Sequence, residues 1–279
     1  MTARHRHSRI IRGTSVHYET SRLPVDDGRP TLVLVHGFGA TLQTWDDVLP
    51  RLEAAHPILR MDLKGFGLSG RPGDDSYSVD EQAEIVAELV RLEAAADVVI
   101  VGHSYGGAVA VLACAKLGPR VRGLVLIDAA SYQQRLPFFV TLYRHRITRW
   151  AIARASASFR SRFVLRYLFV DRGRVTGERV ERYAGAMRLD GSDAASARVA
   201  EQIRAADFAE VTRVIRDTRV PTLIIWGDRD RAVPVAFARR LHHDIPGSHL
   251  AILPACGHLP HEERPDETLS ILEPFLQPA

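Results

Sequence analysis

The residues best placed to do covalent chemistry are Gly102-His103-Ser104-Tyr105-Gly106. They follow the apolar run Val98-Val99-Ile100-Val101 and precede Gly107-Ala108-Val109-Ala110-Val111-Leu112-Ala113. The β-branched run reads as a strand and the alanine-rich run as a helix, which puts Ser104 at the apex of a strand–turn–helix. Such a turn strains the serine backbone, and the residues two before and two after it must be small. The strain lifts the hydroxyl clear of the sheet, and the first N–H groups of the helix aim at whatever binds beside it. The chemistry within reach is nucleophilic attack by a serine oxygen, which needs a base and an oxyanion site nearby.

Those partners must be delivered by the elements around the serine. Short runs rich in Val, Ile and Leu occupy 31–36, 57–62, 97–102, 121–128, 221–226 and 249–253. Their lack of polar alternation suits strands buried on both faces of a parallel sheet. Runs 8–13 and 15–20 read as a hairpin ahead of them. Helical patterns fill the gaps at 106–117, 235–243 and 265–276. Another, opened by a capping box at Ser78-Val79-Asp80-Glu81, runs to about Ala95. The expected fold class is α/β, a doubly wound, mostly parallel eight-stranded sheet. From about Tyr132 to Arg216 no strand-like run appears, and the segment reads as successive amphipathic helices. The expected division is a core of 1–130 and 217–279 with an inserted all-helical cap over 131–216.

In an open α/β sheet, ligands bind beyond the carboxyl ends of the strands, so the residue just past each strand matters most. In chain order these are His36-Gly37-Phe38-Gly39, Asp62, Ser104, Asp128, Gly227-Asp228-Arg229-Asp230 and His258. Topology alone thus brings a serine, several carboxylates and a histidine to one rim.

On these residues the chain resembles the α/β-hydrolase-fold family, in the serine-nucleophile branch with a helical cap. Gly102–Gly106 matches the nucleophile elbow and His36-Gly37-Phe38-Gly39 the oxyanion loop. Gly227–Asp230, with Val233-Pro234 behind, matches the acid loop, and Gly257-His258-Leu259-Pro260-His261-Glu262-Glu263-Arg264-Pro265 the histidine motif. The order is the family's: serine, acid, histidine. The resemblance implies Ser104 as nucleophile, His258 as base and Asp230 as the carboxylate orienting it, with Asp128 as the rival acid. It implies the backbone N–H groups of Phe38 and Tyr105 as oxyanion donors. Gly37, Phe38, Tyr105, Phe138 and Tyr143 are candidate substrate contacts. Asp228 and Asp62 read as loop-fixing carboxylates, and His36 and His103 as groups that orient backbone.

Relatives with this cap include haloalkane dehalogenases and epoxide hydrolases, which place an aspartate at the elbow. A serine there argues against both chemistries. It fits hydrolysis of carboxylic esters of small to medium apolar substrates through an acyl-enzyme. It also fits perhydrolases and the carbon–carbon bond hydrolases of aromatic ring-fission products. Leu259 after His258, where the latter usually carry tryptophan, counts against that second reading. A ligand-binding protein on a hydrolase fold is the reading from another class, and an intact triad argues against it.

Composition bounds the rest. A chain of 279 residues, 46% hydrophobic, can bury one large core. No run reaches the roughly 20 apolar residues of a membrane span. The basic N-terminus leads into a β-like segment instead of a signal core, so a cytoplasmic protein without integral membrane association is expected. Cys114 and Cys256 suggest no disulfide or metal site. His5/His7 and His242/His243 lack a third ligand at a sensible spacing, and neither a metal nor an organic cofactor is expected. Expected partners are a small ester or related acyl substrate and, at most, a second copy in a homodimer. The net charge of +4 hides an asymmetry: residues 131–219 hold 18 Arg against 9 Asp plus Glu, and no acidic residue lies between Asp128 and Asp171. No nucleic-acid motif accompanies this excess. Arginines 135, 144, 146, 149, 154, 160, 162 and 166 alternate there with Phe138, Phe139, Tyr143, Trp150, Phe159, Phe163, Tyr167 and Phe169. The plain reading is wet arginines and core aromatics. The sharper one is an apolar acyl pocket beneath arginines that attract anionic substrates or a lipid surface.

Overall fold

The computed structural model describes residues 4–21, 29–94 and 97–277. Eight strands form one sheet: β1 (Arg4–Ile11), β2 (Thr14–Ser21), β3 (Thr31–Val35), β4 (Ile58–Met61), β5 (Val98–His103), β6 (Val121–Ile127), β7 (Thr222–Gly227) and β8 (His249–Leu253). Their order is β1-β2-β4-β3-β5-β6-β7-β8. β1 pairs antiparallel with β2, and β2 antiparallel with β4; every later pairing is parallel. The hairpin begins at Arg4, ahead of the expected 8–13 run, because His5 to His7 continue the ladder opposite Tyr18 to Thr20.

The parallel strands show why these runs are apolar throughout. Val33, Val35, Ile100, Leu124, Leu126 and Ile224 point into one core, packed on the helices Val79–Glu93 and Tyr105–Leu117. Their neighbours Leu32, Leu34, Val99, Val101, Val125, Ile127, Leu223 and Ile225 point into the other. There they meet Trp45, Leu49, Leu52, Leu269, Leu272 and Leu276. Successive side chains alternate between two dry faces, so no polar alternation survives in the sequence. Ser78 caps its helix as expected, its hydroxyl accepting from the N–H of Glu81. The reciprocal half of the box is different: the Glu81 carboxylate pairs with Arg12 of the hairpin turn. Ala95 lies outside the described residues.

Registry places the strand ends in one row. Val35 lies opposite Gly102, Gly102 opposite Leu126, Ile127 opposite Ile225 and Gly227 opposite Leu253. The chain leaves β3 toward β4 on one side and returns to β5 on the other, so β3 and β5 flank the switch point where loops diverge and open a crevice. Between β6 and β7 come six helices: Phe138–Arg144, Arg146–Ile152, Ala157–Leu168, Gly177–Met187, Ser192–Gln202 and Ala205–Asp217. Buried polar contacts tie this segment to the sheet's rim. Arg179 pairs with Asp47 and, at 2.9 Å, with the fully buried Glu262. Glu263 accepts the N–H groups of Val170, Asp171 and Gly257.

Candidate active site

β5 ends in a strained turn: Ser104 sits at φ 52, ψ −122. Residues this far into positive φ cost roughly 1–3 kcal/mol and persist only where neighbours over-determine them. The neighbours are Gly102 and Gly106. A Cβ on Gly102 would lie 2.5 Å from the Gly106 carbonyl oxygen, and one on Gly106 would lie 2.3 Å from that of His36. Strand, turn and helix therefore close on each other only if both positions lack side chains.

The loop after β8 brings His258 over the serine. Its Nε2 lies 2.8 Å from Ser104 Oγ and its Nδ1 2.7 Å from Asp230 Oδ2. Since the carboxylate can only accept, Nδ1 carries the proton and Nε2 is the acceptor that faces the hydroxyl. Asp230 is itself held: its Oδ1 accepts the N–H groups of Ala232 and Val233 at 2.7 and 3.0 Å. The histidine loop is fixed by backbone, with His258 N–H donating to Leu168 O, and by His103, whose Nε2 donates to His258 O at 2.8 Å.

The rival acid occupies a different place. Asp128 is fully buried at φ 44, and its Oδ1 accepts the N–H of Gly227 at 3.2 Å. It stands behind Asp230, all three groups of Asp128, Asp230 and His258 having ligand atoms within 4.8 Å of one another. Burial first, and then the Asp230 carboxylate, push Asp128 well above the ordinary carboxylate range. Both nitrogens of His258 are taken by Ser104 and Asp230, so the cluster is a hydrogen-bonded chain.

The backbone N–H groups of Phe38, after β3, and Tyr105, the first helical residue, have no acceptor among the described residues. Gly37, Phe38, Ser104, Tyr105 and His258 line one small cavity of about 60 Å³. A larger one of about 280 Å³ adjoins it, sharing Phe38, Ala40, Phe139, Leu168 and Tyr183. Phe138 and Tyr143, expected near the substrate, line only the larger cavity. Its walls are apolar apart from Arg160, a few hydroxyls and Ser192/Ser196, and Arg160 is tied to Asp193 at 2.8 Å.

Other singled-out residues have structural duties. Asp62 accepts the N–H groups of Leu42 and Leu68 and faces His17 Nδ1. Asp228 accepts the N–H of Cys256. His36 accepts from Leu63 N–H at Nε2 and so donates from Nδ1 to Gly37 O. His7 bonds Thr20, His242 bonds Ser248 and His243 bonds Asp244. Cys114 and Cys256 are free thiols, both buried, and burial pushes Cys114 up to about 12. Sequence reasoning gave Glu263 no role of its own, since its pinning of the His258 loop rests on contacts 92 and 93 residues away in sequence and on a third within the turn.

A family model described as "Alpha/beta hydrolase family" matches residues 32–271. This chain belongs to the alpha/beta hydrolase family. The hydrolase is 29% identical to the uncharacterized hydrolase YugF of Bacillus subtilis over 92% of each chain. It is 30% identical to a 2-hydroxy-6-oxo-2,4-heptadienoate hydrolase of Pseudomonas putida, again over 92% of each. Among solved structures, a bacterial membrane phospholipase A superposes with a TM-score of 0.78 at 27% identity, covering 98% of this chain and 86% of that one. The protein is thus an α/β-fold hydrolase, and among the described residues no helix is long and apolar enough to cross a membrane.

Three histidines of this hydrolase are buried and neutral. Burial lowers His36 and His103, and lowers His261 to about 3, with the neighbouring His258 and Arg179 adding to the last. Unfolded, each ring titrates near its usual value of about 6.5, so below that pH the unfolded chain binds more protons. Stability is therefore fully present above about pH 6.5 and falls as pH drops, by up to about 1.4 kcal/mol per pH unit per ring. For His261 the decline runs on toward about pH 3. Denaturant midpoints measured between about pH 7.5 and about pH 5 should fall steadily. A flat profile would clear these rings of that role.

Proposed function

We propose that the protein is a serine carboxylic-ester hydrolase working through an acyl-enzyme, with the helical segment 131–216 serving as its cap. The observation that carries the reading is the unbroken chain Ser104 Oγ–His258–Asp230, at 2.8 and 2.7 Å. In this mechanism Oγ attacks the ester carbonyl while His258 Nε2 takes its proton, and Asp230 stabilises the imidazolium. The oxyanion is received by the N–H groups of Phe38 and Tyr105, each such donor being worth about 10²–10³ in rate. His258 then protonates the departing alcohol, and a water activated by the same nitrogen releases the acid. No step calls on a metal or an organic cofactor.

The larger cavity supports an apolar acyl group of small to medium size. Burying one methylene is worth about 0.8 kcal/mol, or about fourfold in kcat/KM, until the cavity is full. With p-nitrophenyl esters, kcat/KM should climb from acetate through butyrate toward medium chains and then stop climbing. A flat profile or preference for acetate alone would sink the acyl-pocket assignment.

The 30% identity with the heptadienoate hydrolase favours a second reading, carbon–carbon bond hydrolysis of a ring-fission product. Such a substrate carries a carboxylate that needs a free cation. Among the described residues, the one arginine lining the two cavities, Arg160, is already paired with Asp193. Faster turnover of a ring-fission dienoate than of any ester in the panel would reverse this preference.

A further inference from the structure

The helices after β6 leave apolar side chains in water in an unusual concentration. Between positions 147 and 163, Ile147, Trp150, Phe159 and Phe163 are 82%, 62%, 65% and 57% exposed. Only Ile10, Leu68 and Leu92 are comparable among the rest of the described residues. The other aromatics of this segment do go inward, Tyr143 and Phe169 being buried and Phe138, Phe139 and Tyr167 half-buried. So the arginine–aromatic alternation is not simply a wet face and a core face.

The charge on the same stretch is one-sided. No acidic residue occurs between Asp128 and Asp171. Arg135, Arg144, Arg146, Arg154, Arg162 and Arg166 are exposed. Arg154 lies 3.1 Å over the Trp150 ring, and no carboxylate pairs with Arg144, Arg146 or Arg166 among the described residues. Phe159 and Phe163 are both exposed and line the 280 Å³ cavity, so the cavity opens on this face.

Exposed aromatics beside unpaired guanidinium groups match a boundary with hydrocarbon on one side and phosphate on the other. A second copy of the chain fits poorly, because it would set unpaired arginines against one another. A nucleic acid would satisfy the charge and leave Ile147 and Phe163 in water. We propose that the helices Arg146–Ile152 and Ala157–Leu168 form a peripheral docking face for an anionic lipid surface, which brings the mouth of the apolar cavity to the membrane. This goes beyond the esterase reading, since docking requires neither Ser104 nor turnover.

The test is flotation of the full chain with vesicles of phosphatidylcholine alone or mixed with phosphatidylglycerol. Partitioning onto the anionic vesicles should exceed that onto neutral ones at least about tenfold, and weaken as salt rises from about 0.1 to about 0.5 M. An arginine near an anionic surface is worth about fivefold in partitioning, so Arg144→Glu/Arg146→Glu should lose about 25-fold or more. Ile147→Ser/Trp150→Ser should lose about tenfold or more through the apolar contribution. Both variants lie outside the cavities and should hydrolyse a soluble short-chain ester as the parent does. Ser104→Ala should bind vesicles unchanged, which separates failure of docking from failure of the catalytic reading. Equal partitioning onto neutral vesicles, no partitioning, or variants that bind like the parent would overturn the proposal. So would equal retention by duplex DNA, or a dimer in sedimentation that Ile147→Ser/Trp150→Ser abolishes.

Discussion

Ser104→Ala is expected to fold normally and to lose about 10⁶-fold in ester turnover. The side-chain oxygen makes one hydrogen bond, to His258 Nε2, so removing it frees only that nitrogen, which faces the small cavity, and disturbs no contact of the scaffold. The strained backbone at φ 52 is over-determined by Gly102 and Gly106, and alanine keeps the same Cβ there. Thermal midpoints should therefore agree within a few degrees, while kcat falls to what the oxyanion donors and binding supply alone. Labelling by a serine-directed phosphonate, read by intact mass, should vanish with the hydroxyl. Undiminished turnover in this variant would falsify the nucleophile assignment.

The two carboxylates behind His258 should respond oppositely to the same substitution. Asp230→Asn is expected to cost about 10⁴-fold in kcat, because the amide favours the wrong tautomer and cannot stabilise the imidazolium. Asp128→Asn should stay within about tenfold of the parent. Burial and the Asp230 carboxylate hold Asp128 well above the ordinary carboxylate range, one of its oxygens accepts the N–H of Gly227 and the other has no partner, so an amide of the same shape replaces it at little cost. The comparison is read from kcat over a pH series at fixed ester, with folding checked by circular dichroism. Comparable losses in both variants would mean that the acid function is shared; a larger loss at Asp128 would move it there.

Much of this site was legible in the chain because it is written locally. Gly102 and Gly106 around Ser104 encode a close approach of strand and helix that no other residue permits, and the purely apolar strands encode a sheet covered on both faces. The order of rim residues then follows from parallel topology, which delivers each strand's end to one edge. The sequence could therefore name Ser104, His258 and a short set of carboxylates, and could distinguish a serine elbow from an aspartate one. The choice of Asp230 over Asp128 rested on the family resemblance and not on the residues themselves. Both follow strands, and packing shows that one carboxylate meets the imidazole at 2.7 Å while the other is buried behind it. Nor could the sequence divide the aromatics of the helical segment, because helical periodicity gives a face and not what covers that face. Phe169 reaches the core, Phe138 the cavity and Trp150 the solvent through contacts between helices distant in sequence. Likewise Glu263 gains its role in holding the His258 loop only when residues 168–171 fold back against it. Local backbone geometry thus determined the strained turn that carries Ser104, whereas long-range packing decided which carboxylate meets His258, shaped the cavities and left an arginine-rich aromatic face uncovered.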